Sequence, residues 1–289
     1  MHPTDSLFIK IARKITLPFI IDIYNTIFGF RGDYKSWEDA VRDSVGYDSD
    51  IILSKVLDSS LKVVNGKAAY ERDSVTFERI QYSWPLLAGL LWIASCNNNR
   101  LNIVDYGGSL GSSYRQNKVF LKHLQELRWS IVEQDKFVRC GKEHFENGHL
   151  KFYDDLKTCC LENQPDAILF SGVIQYLEKP YALLEEVLSF KFDFLIFDRT
   201  TFIESGEDRL TIQKVKPTIY RASYPAWFFN REKFLAFLAR DYELVAEFDA
   251  LAGVIRIGNR YGNDKGFIFS RRNNNWNGME RQIHESNST

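Results

Sequence analysis

The stretch from Leu101 to Gly111 constrains this chain more than any other. Five residues, Leu101–Asp105, form a mostly apolar run ending in an acid, and Tyr106 to Gly111 then carries three glycines in six residues. A short apolar run of this kind reads as a buried strand. The glycines let the backbone turn sharply and approach a ligand closely, and Ser112 and Ser113 are suited to capping a helix directly afterwards. A strand, a glycine turn and a helix N-terminus with free N–H groups together make a nucleotide-binding turn, which belongs in a mainly parallel sheet.

The rest of the chain beyond residue 100 agrees with that demand. Further candidate strands are Trp129–Glu133, Leu150–Tyr153, Ala167–Ser171, Phe192–Asp198, Tyr242–Phe248 and Gly266–Ser270. Helical patterns separate most of them, at Ser112–Leu127, Phe137–Phe145, Pro180–Phe190 and Arg231–Arg240. Strands alternating with helices imply an α/β fold with both sheet faces covered. The last two strands have no helix between them and are expected to pair antiparallel at one edge. The expectation is a seven-stranded, mainly parallel Rossmann-like sheet over residues 100–272. Residues 273–289 read as a disordered tail.

Residues 1–99 read as an N-terminal helical extension serving as a lid, a dimer surface or a membrane contact. Ile52, Leu53, Val56, Leu57, Leu61 and Val64 recur at helical spacing, Gly66 is a natural stop, and Pro85 opens a second apolar helix. Residues 7–30 are rich in Ile, Leu and Phe but interrupted by Asp22 and Asn25, which argues against a membrane span. Two placements remain for that segment. It lies on a membrane surface, making a cytoplasmic protein peripheral at the inner membrane face, or it packs on the protein's own core or on a second copy in a homodimer.

Composition excludes several functions. A formal net charge of -1 gives no general attraction to nucleic acid. Cys96, Cys140, Cys159 and Cys160 show no C-x-x-C spacing and no histidine partners, and no His/Asp/Glu cluster argues for a metal. No secretory leader is visible. With 45% hydrophobic residues the chain has ample material for a core.

The pattern around the glycines selects among nucleotides. A dehydrogenase turn has the form G-x-G-x-x-G with an acid about 20 residues later. Here the pattern is D-x-G-x-S-x-G, with Asp105 ahead of Gly107, Gly108, Ser109 and Gly111. An acid at that point suits a ligand with a cationic amino-acid part, not a pyrophosphate. The closest form is the D-x-G-x-G-x-G loop of methyltransferases that use S-adenosylmethionine. Ser109 takes the place of the middle glycine, so the backbone there is expected to avoid positive φ. Glu133 ends the next strand, where an acid accepts hydrogen bonds from ribose hydroxyls, with Gln134 beside it. Asp154 and Asp155 follow the third strand, at the level of an adenine ring, though a helix N-cap is an equally good role for either.

Several longer runs are similar to one bacterial methyltransferase family, largely uncharacterised and often associated with surface-polysaccharide gene clusters. They are Asp105 to Ser113, Val132-Glu133-Gln134, Ile174-Gln175-Tyr176-Leu177, Asp198-Arg199-Thr200 and Tyr220 to Phe228, with Tyr70 to Ser74 and Tyr82 to Pro85 upstream. The resemblance covers about residues 33 to 271. It implies the class I methyltransferase fold and S-adenosylmethionine as cofactor. The association with surface glycans suggests a sugar or nucleotide-sugar hydroxyl as the small-molecule acceptor.

The acceptor is expected beyond the fourth and fifth strands. Ser171 and Gly172 would lie near the transferring methyl, followed by Gln175 and Tyr176, and Asp198-Arg199 follow the fifth strand. Thr201–Phe229 reads as a long acceptor loop holding Arg209, Tyr220, Ser223, Tyr224 and Trp227. None of the five histidines falls in these segments. Asp198 is therefore the candidate base, with Tyr220 and Tyr224 as hydrogen-bond partners; an ion pair with Arg199 or Arg209 is its structural alternative. Two other functions stay open. A nicotinamide-dependent sugar-modifying enzyme would want an intact G-x-G-x-x-G, and a non-catalytic cofactor-binding scaffold would keep the loop without a base.

Overall fold

The computed structural model describes residues 29–44, 49–204, 206–215, 219 and 222–272. Tyr220, the tail from residue 273 and all but the last two residues of the 7–30 segment lie outside them. In chain order the first elements are β1 (Gly29–Tyr34), α1 (Trp37–Arg42), α2 (Ser49–Val64), β2 (Tyr70–Arg72), β3 (Val75–Phe77) and α3 (Trp84–Cys96). The alternating part follows with β4 (Arg100–Tyr106), α4 (Ser112–Leu121), β5 (Glu126–Val132), α5 (Asp135–His144), β6 (Leu150–Tyr153) and α6 (Leu156–Asn163). Next come β7 (Ala167–Ser171), α7 (Pro180–Phe190), β8 (Phe194–Ile203), β9 (Arg209–Lys214), β10 (Ser223–Asn230), α8 (Arg231–Leu238), β11 (Tyr242–Ile257) and β12 (Arg260–Arg271). A single turn of 3-10 helix, Ile174–Tyr176, follows β7.

Every sequence-predicted strand is present, and the period-two alternation sorts their side chains into two apolar layers. Ile103, Trp129, Ile131, Leu169 and Ile196 face α2, α3 and α5, while Val104, Ile168, Phe170, Leu195 and Phe197 face α6, α7 and α8. Helix α3 is apolar nearly all round and has Pro85 in its first turn, and a Cβ at its Gly89 would stand 2.5 Å from the end of the Ile268 side chain, which would have to shift.

The main sheet has ten strands, ordered β10-β9-β1-β11-β12-β8-β7-β4-β5-β6, and is mixed rather than mainly parallel with seven. Strands β4 to β8 are parallel, and β12 and β11 pair antiparallel as expected, but inside the sheet between β8 and β1 and not at an edge, because β1 adds to β11. The three additional strands are β1, β9 and β10. Thr201–Phe229, expected as a loop, instead continues β8 to Ile203 and forms β9 and most of β10. Its polar-tipped aromatics disguised strands buried on both faces, with Leu210 and Ile212 on one side, against Ala40 of α1, and Ala226 and Phe228 on the other. Phe229 and Asn230 of β10 return to pair with Phe202 and Ile203 of β8. This closes β8, β12, β11, β1, β9 and β10 into a ring, with Ile203, Phe228 and Ile257 packed together and Phe30 against them. Among the described residues no helix is long and apolar enough to cross a membrane.

On either side of β4 the chain runs in opposite directions through the sheet, with β5 and β6 to one side and β7 and β8 to the other. The crevice beyond the carboxyl ends of β4 and β7 is the topological switch point, where open α/β sheets bind ligands.

Candidate functional site

The glycine loop sits at that switch point. Gly107 has φ 68° and donates its N–H to the Val132 carbonyl at 2.8 Å, which locks the turn to β5. A side chain at Gly107 would meet Val173 at 2.3 Å, and one at Gly108 would come within 2.6 Å of the Asp105 carboxyl carbon. Gly111, with φ 95°, ends the loop and is the N-cap of α4. Ser109 also adopts the left-handed conformation, φ 53°. This corrects the expectation that serine would keep the backbone out of positive φ: the turn imposes the conformation that a glycine would take without strain.

Beneath the loop Asp105 is 1% exposed. Its Oδ2 accepts from Trp129 Nε1 at 3.0 Å, while Oδ1 has no partner among the described residues. Burial pushes its pKa up to about 7, against the lowering effects of the Trp129 hydrogen bond and of Arg199. Tyr106 is in register with Val132, and Val132 with Tyr153, so Gly107, Glu133 and Asp154 form one row along the carboxyl edge. Glu133 is half-buried, its pKa raised by burial, and its carboxylate accepts from the Gln134 N–H at 2.6 Å and from the Ser109 N–H. Gln134 is exposed and is the N-cap residue of α5. Asp155 is the N-cap of α6, bonded to the Thr158 N–H at 2.7 Å, which leaves Asp154 exposed at the rim.

Across the crevice, Ser171 and Asp198 are in register on β7 and β8. Ser171 donates its hydroxyl to Asp198 Oδ2 at 3.0 Å, Ser83 approaches Oδ1 at 3.4 Å, and Gly172 donates its N–H to the Asp198 carbonyl at 2.9 Å. Asp198 is 3% exposed, and burial raises its pKa against the pull of Arg199. Arg199 donates to Ser171 and to Asp73 at the tip of the β2–β3 hairpin. Gln175 is buried and donates Nε2 to the Arg199 carbonyl at 2.9 Å. Tyr176 donates to Gln213 at 2.7 Å and meets Tyr224 edge to face at 5.2 Å, next to Ser223, which is buried on β10.

The structure does not bring Arg209 and Trp227 to the switch point. Arg209 holds the Gly32 carbonyl of β1 at 2.8 and 3.0 Å. Trp227 stacks on Trp37 at 6.3 Å and donates Nε1 to the Leu177 carbonyl. Both line a separate cavity of about 670 Å³ with Tyr34, Tyr181 and Asp208, at the far end of β8. Ile203 of that cavity lies five residues beyond Asp198, roughly 16 Å along an extended strand.

Two residues with no part in the sequence expectations, Arg115 and Asp264, complete the site together with Glu71 of the Tyr70–Ser74 run. Glu71 of β2 and Arg115 of α4 form a buried ion pair at 2.9 Å that also holds Ser60 and, through Nη1, the Leu110 carbonyl of the glycine loop. Asp264 of β12 accepts from the Ala252 N–H at 2.8 Å; burial raises its pKa to about 6, and it lies near enough to feel the charges of Arg199 and Asp198. Arg115 and Asp264 have no sequence signal, since their partners lie far away along the chain.

No known family profile matches this sequence, and no curated protein does. Solved structures do resemble its fold. The N-terminal domain of EvdMO1, crystallised in the presence of SAH and D-fucose, aligns over 70% of this chain and 89% of its own at 14% identity and TM-score 0.43. Magnesium protoporphyrin IX methyltransferase (ChlM) from Synechocystis PCC 6803 with bound SAM aligns over 78% of this chain and 99% of its own, at 12% identity and TM-score 0.40. The 1,6-didemethyltoxoflavin-N1-methyltransferase of Burkholderia thailandensis covers 80% of this chain and 92% of its own, at 12% identity and TM-score 0.37. Overlaps this loose say nothing of chemistry, which lies in the residues of the switch point.

Those residues fit one kind of ligand well. An acid with a buried, unpartnered oxygen lies under a loop with no room for a side chain at Gly107 or Gly108, and two further carboxylates follow along the same edge. Such a row attracts cationic and hydroxyl-bearing groups and repels a pyrophosphate.

Proposed function

We propose that this chain is an S-adenosylmethionine-dependent methyltransferase acting on a small-molecule acceptor. The observation that carries the reading is Asp105: a carboxylate with one unpartnered oxygen, buried under the glycine loop at the switch point. Leaving such a group unpaired is costly, and the cost is offset when a cationic ligand pairs with it.

When bound, the cofactor supplies a methyl group on a cationic sulfur, so the chain needs mainly to align an acceptor with it. In this reading Asp105 receives the ammonium of the amino-acid part, and the Gly107, Gly108 and Gly111 turn admits the backbone close to it. Glu133 exchanges its local N–H partners for ribose hydroxyls, and Gln134 and Asp154 flank the adenine. Ser171 and Gly172 border the methyl. Asp198 accepts the acceptor's proton: its contact with Ser83, at 3.4 Å, is long for an O–H···O bond and yields readily to an incoming hydroxyl. Tyr224, Ser223, Tyr176 and Gln175 belong to the acceptor side, as does Tyr220. Of the N-terminal region, the β2–β3 hairpin serves as the cover, while β1 and α3 belong to the sheet and core of the transferase unit. A sugar or nucleotide-sugar hydroxyl as acceptor rests on the family resemblance of the sequence.

The test is ligand-induced thermal stabilisation. S-adenosylmethionine and S-adenosylhomocysteine should each raise Tm, NAD should not, and Asp105→Ala and Glu133→Ala should each abolish the rise. No shift with either adenosyl ligand at saturation would sink the proposal.

A further inference from the structure

Arg199 has a geometry that alignment of a methyl group does not explain. Its backbone is left-handed, φ 53°, which aims the side chain back over β7. The guanidinium lies against the bare backbone at Gly172, where a Cβ would stand 3.0 Å from Nη2. Nη2 donates to the Ser171 carbonyl at 3.2 Å, Nε to Ser171 Oγ at 3.4 Å, and Nη1 to Asp73 Oδ2 at 3.2 Å. All three are longer than the 2.7–2.9 Å of a good charge-assisted bond, and an arginine offers five N–H donors. The cation is fixed at the crevice and only loosely satisfied.

Its other carboxylate neighbours make their hydrogen bonds to other groups. Asp198 accepts from Ser171 and Ser83, Asp264 from Ala252, and Asp105 from Trp129. Asp73 alone forms an ion pair with Arg199 among the described residues, and its side chain is 64% exposed against 24% for Arg199. Asp73 and Ser74 are both left-handed, forming the two-residue tip of the β2–β3 hairpin. An exposed carboxylate on a hairpin tip thus covers a half-buried cation whose charge reaches Asp105.

The amino-acid end of adenosylmethionine carries an ammonium and a carboxylate on one carbon. Asp105 on β4 and Arg199 on β8 flank β7 from opposite sides and present the two opposite charges. Resting on the methyltransferase reading, we propose that Arg199 binds the α-carboxylate of the cofactor and that Asp73 is its stand-in, displaced when the cofactor enters. The hairpin tip thereby competes with the ligand for one cation and is released by binding.

Two ligands separate this from a general structural role. S-adenosylhomocysteine has the amino-acid part, and 5′-deoxy-5′-methylthioadenosine keeps the adenosine and thioether without it. Titration calorimetry on the full chain should show Arg199→Gln weakening the first by about tenfold or more while changing the second less than twofold. Asp73→Asn should tighten S-adenosylhomocysteine severalfold and leave methylthioadenosine unchanged, because it removes the competitor. Equal loss for both ligands in Arg199→Gln, or weaker S-adenosylhomocysteine binding in Asp73→Asn, overturns the assignment while sparing the cofactor reading. If Arg199→Gln does not fold, the Asp73→Asn result decides alone. Wild-type protein that binds neither ligand overturns both.

Discussion

Ser109 shows at the residue scale how a loop's geometry overrides its composition. The D-x-G-x-S-x-G pattern is enough to place a tight turn after β4, but residue type does not reveal the backbone angle at the serine. The angle is set by neighbours: Gly107 is tied to Val132, Gly111 to the Gly108 carbonyl, and the Ser109 N–H is directed at Glu133. An L-residue in the left-handed region is strained by about 1 kcal/mol. Ser109→Gly should therefore raise stability, by about 0.5–1 kcal/mol and about 2 °C in Tm, with the loop unchanged. A drop in Tm would mean that the serine hydroxyl has a partner worth more than the strain. Gly108→Ala should act in the opposite sense, because its Cβ would come within 2.6 Å of the Asp105 carboxyl carbon. It should lower Tm by several degrees and abolish stabilisation by S-adenosylhomocysteine, both read from one melting series.

At the scale of elements, legibility followed length and periodicity. The parallel strands flanking the site and helices α3, α5 and α7 carry unbroken apolar patterns, and they are where the sequence puts them. The hairpin β2–β3 has three residues in each strand, too few to show alternation. β9 and β10 are buried strands, but Arg209, Gln213, Ser223 and Tyr224 give them the look of a polar loop. What holds the hairpin is likewise invisible in sequence: the Glu71–Arg115 pair joins residues 44 apart, with side chains 1% and 6% exposed. Burying two charges gains little over two apolar groups, but removing one leaves the other without a counter-charge. Arg115→Met should thus cost about 3–5 kcal/mol, and Glu71→Met a similar amount, while the double variant should cost clearly less than the two together. Urea unfolding of the four proteins gives the cycle; strict additivity would mean that the pair does not act as a unit. Because Arg115 also holds the Leu110 carbonyl, the single variants should loosen the glycine loop along with the hairpin.

For the whole molecule, the arrangement of acids sets how stability responds to pH. Asp105, with a pKa near 7, and Asp264 and Asp166, each near 6, are all raised chiefly by burial. In the unfolded chain the same groups ionise near pH 4. Between those limits the folded protein holds protons that the unfolded chain has lost, so stability falls as pH rises from about 4 to about 7 and levels off above. Each carboxyl contributes up to about 1.4 kcal/mol per pH unit while it lies between its two pKa values. Asp155 and Glu247, held low by the Thr158 and Arg231 hydrogen bonds, act in the opposite sense, and only below about pH 4. Tm should therefore decline from pH 5 to pH 7.5, and Asp105→Asn should flatten the upper part of that decline. Asp166 lies at the opposite, amino-terminal end of β7, so its share of the slope should not depend on ligand. Asp105 should behave differently, because a bound cation favours its ionised form. The Tm gain given by S-adenosylhomocysteine should accordingly grow as pH rises through about 7, with a proton released on binding at pH 6 that calorimetry in buffers of different ionisation enthalpy would detect. A gain independent of pH in that range would separate Asp105 from the ligand, and its burial would then be a cost to the fold with no function to offset it.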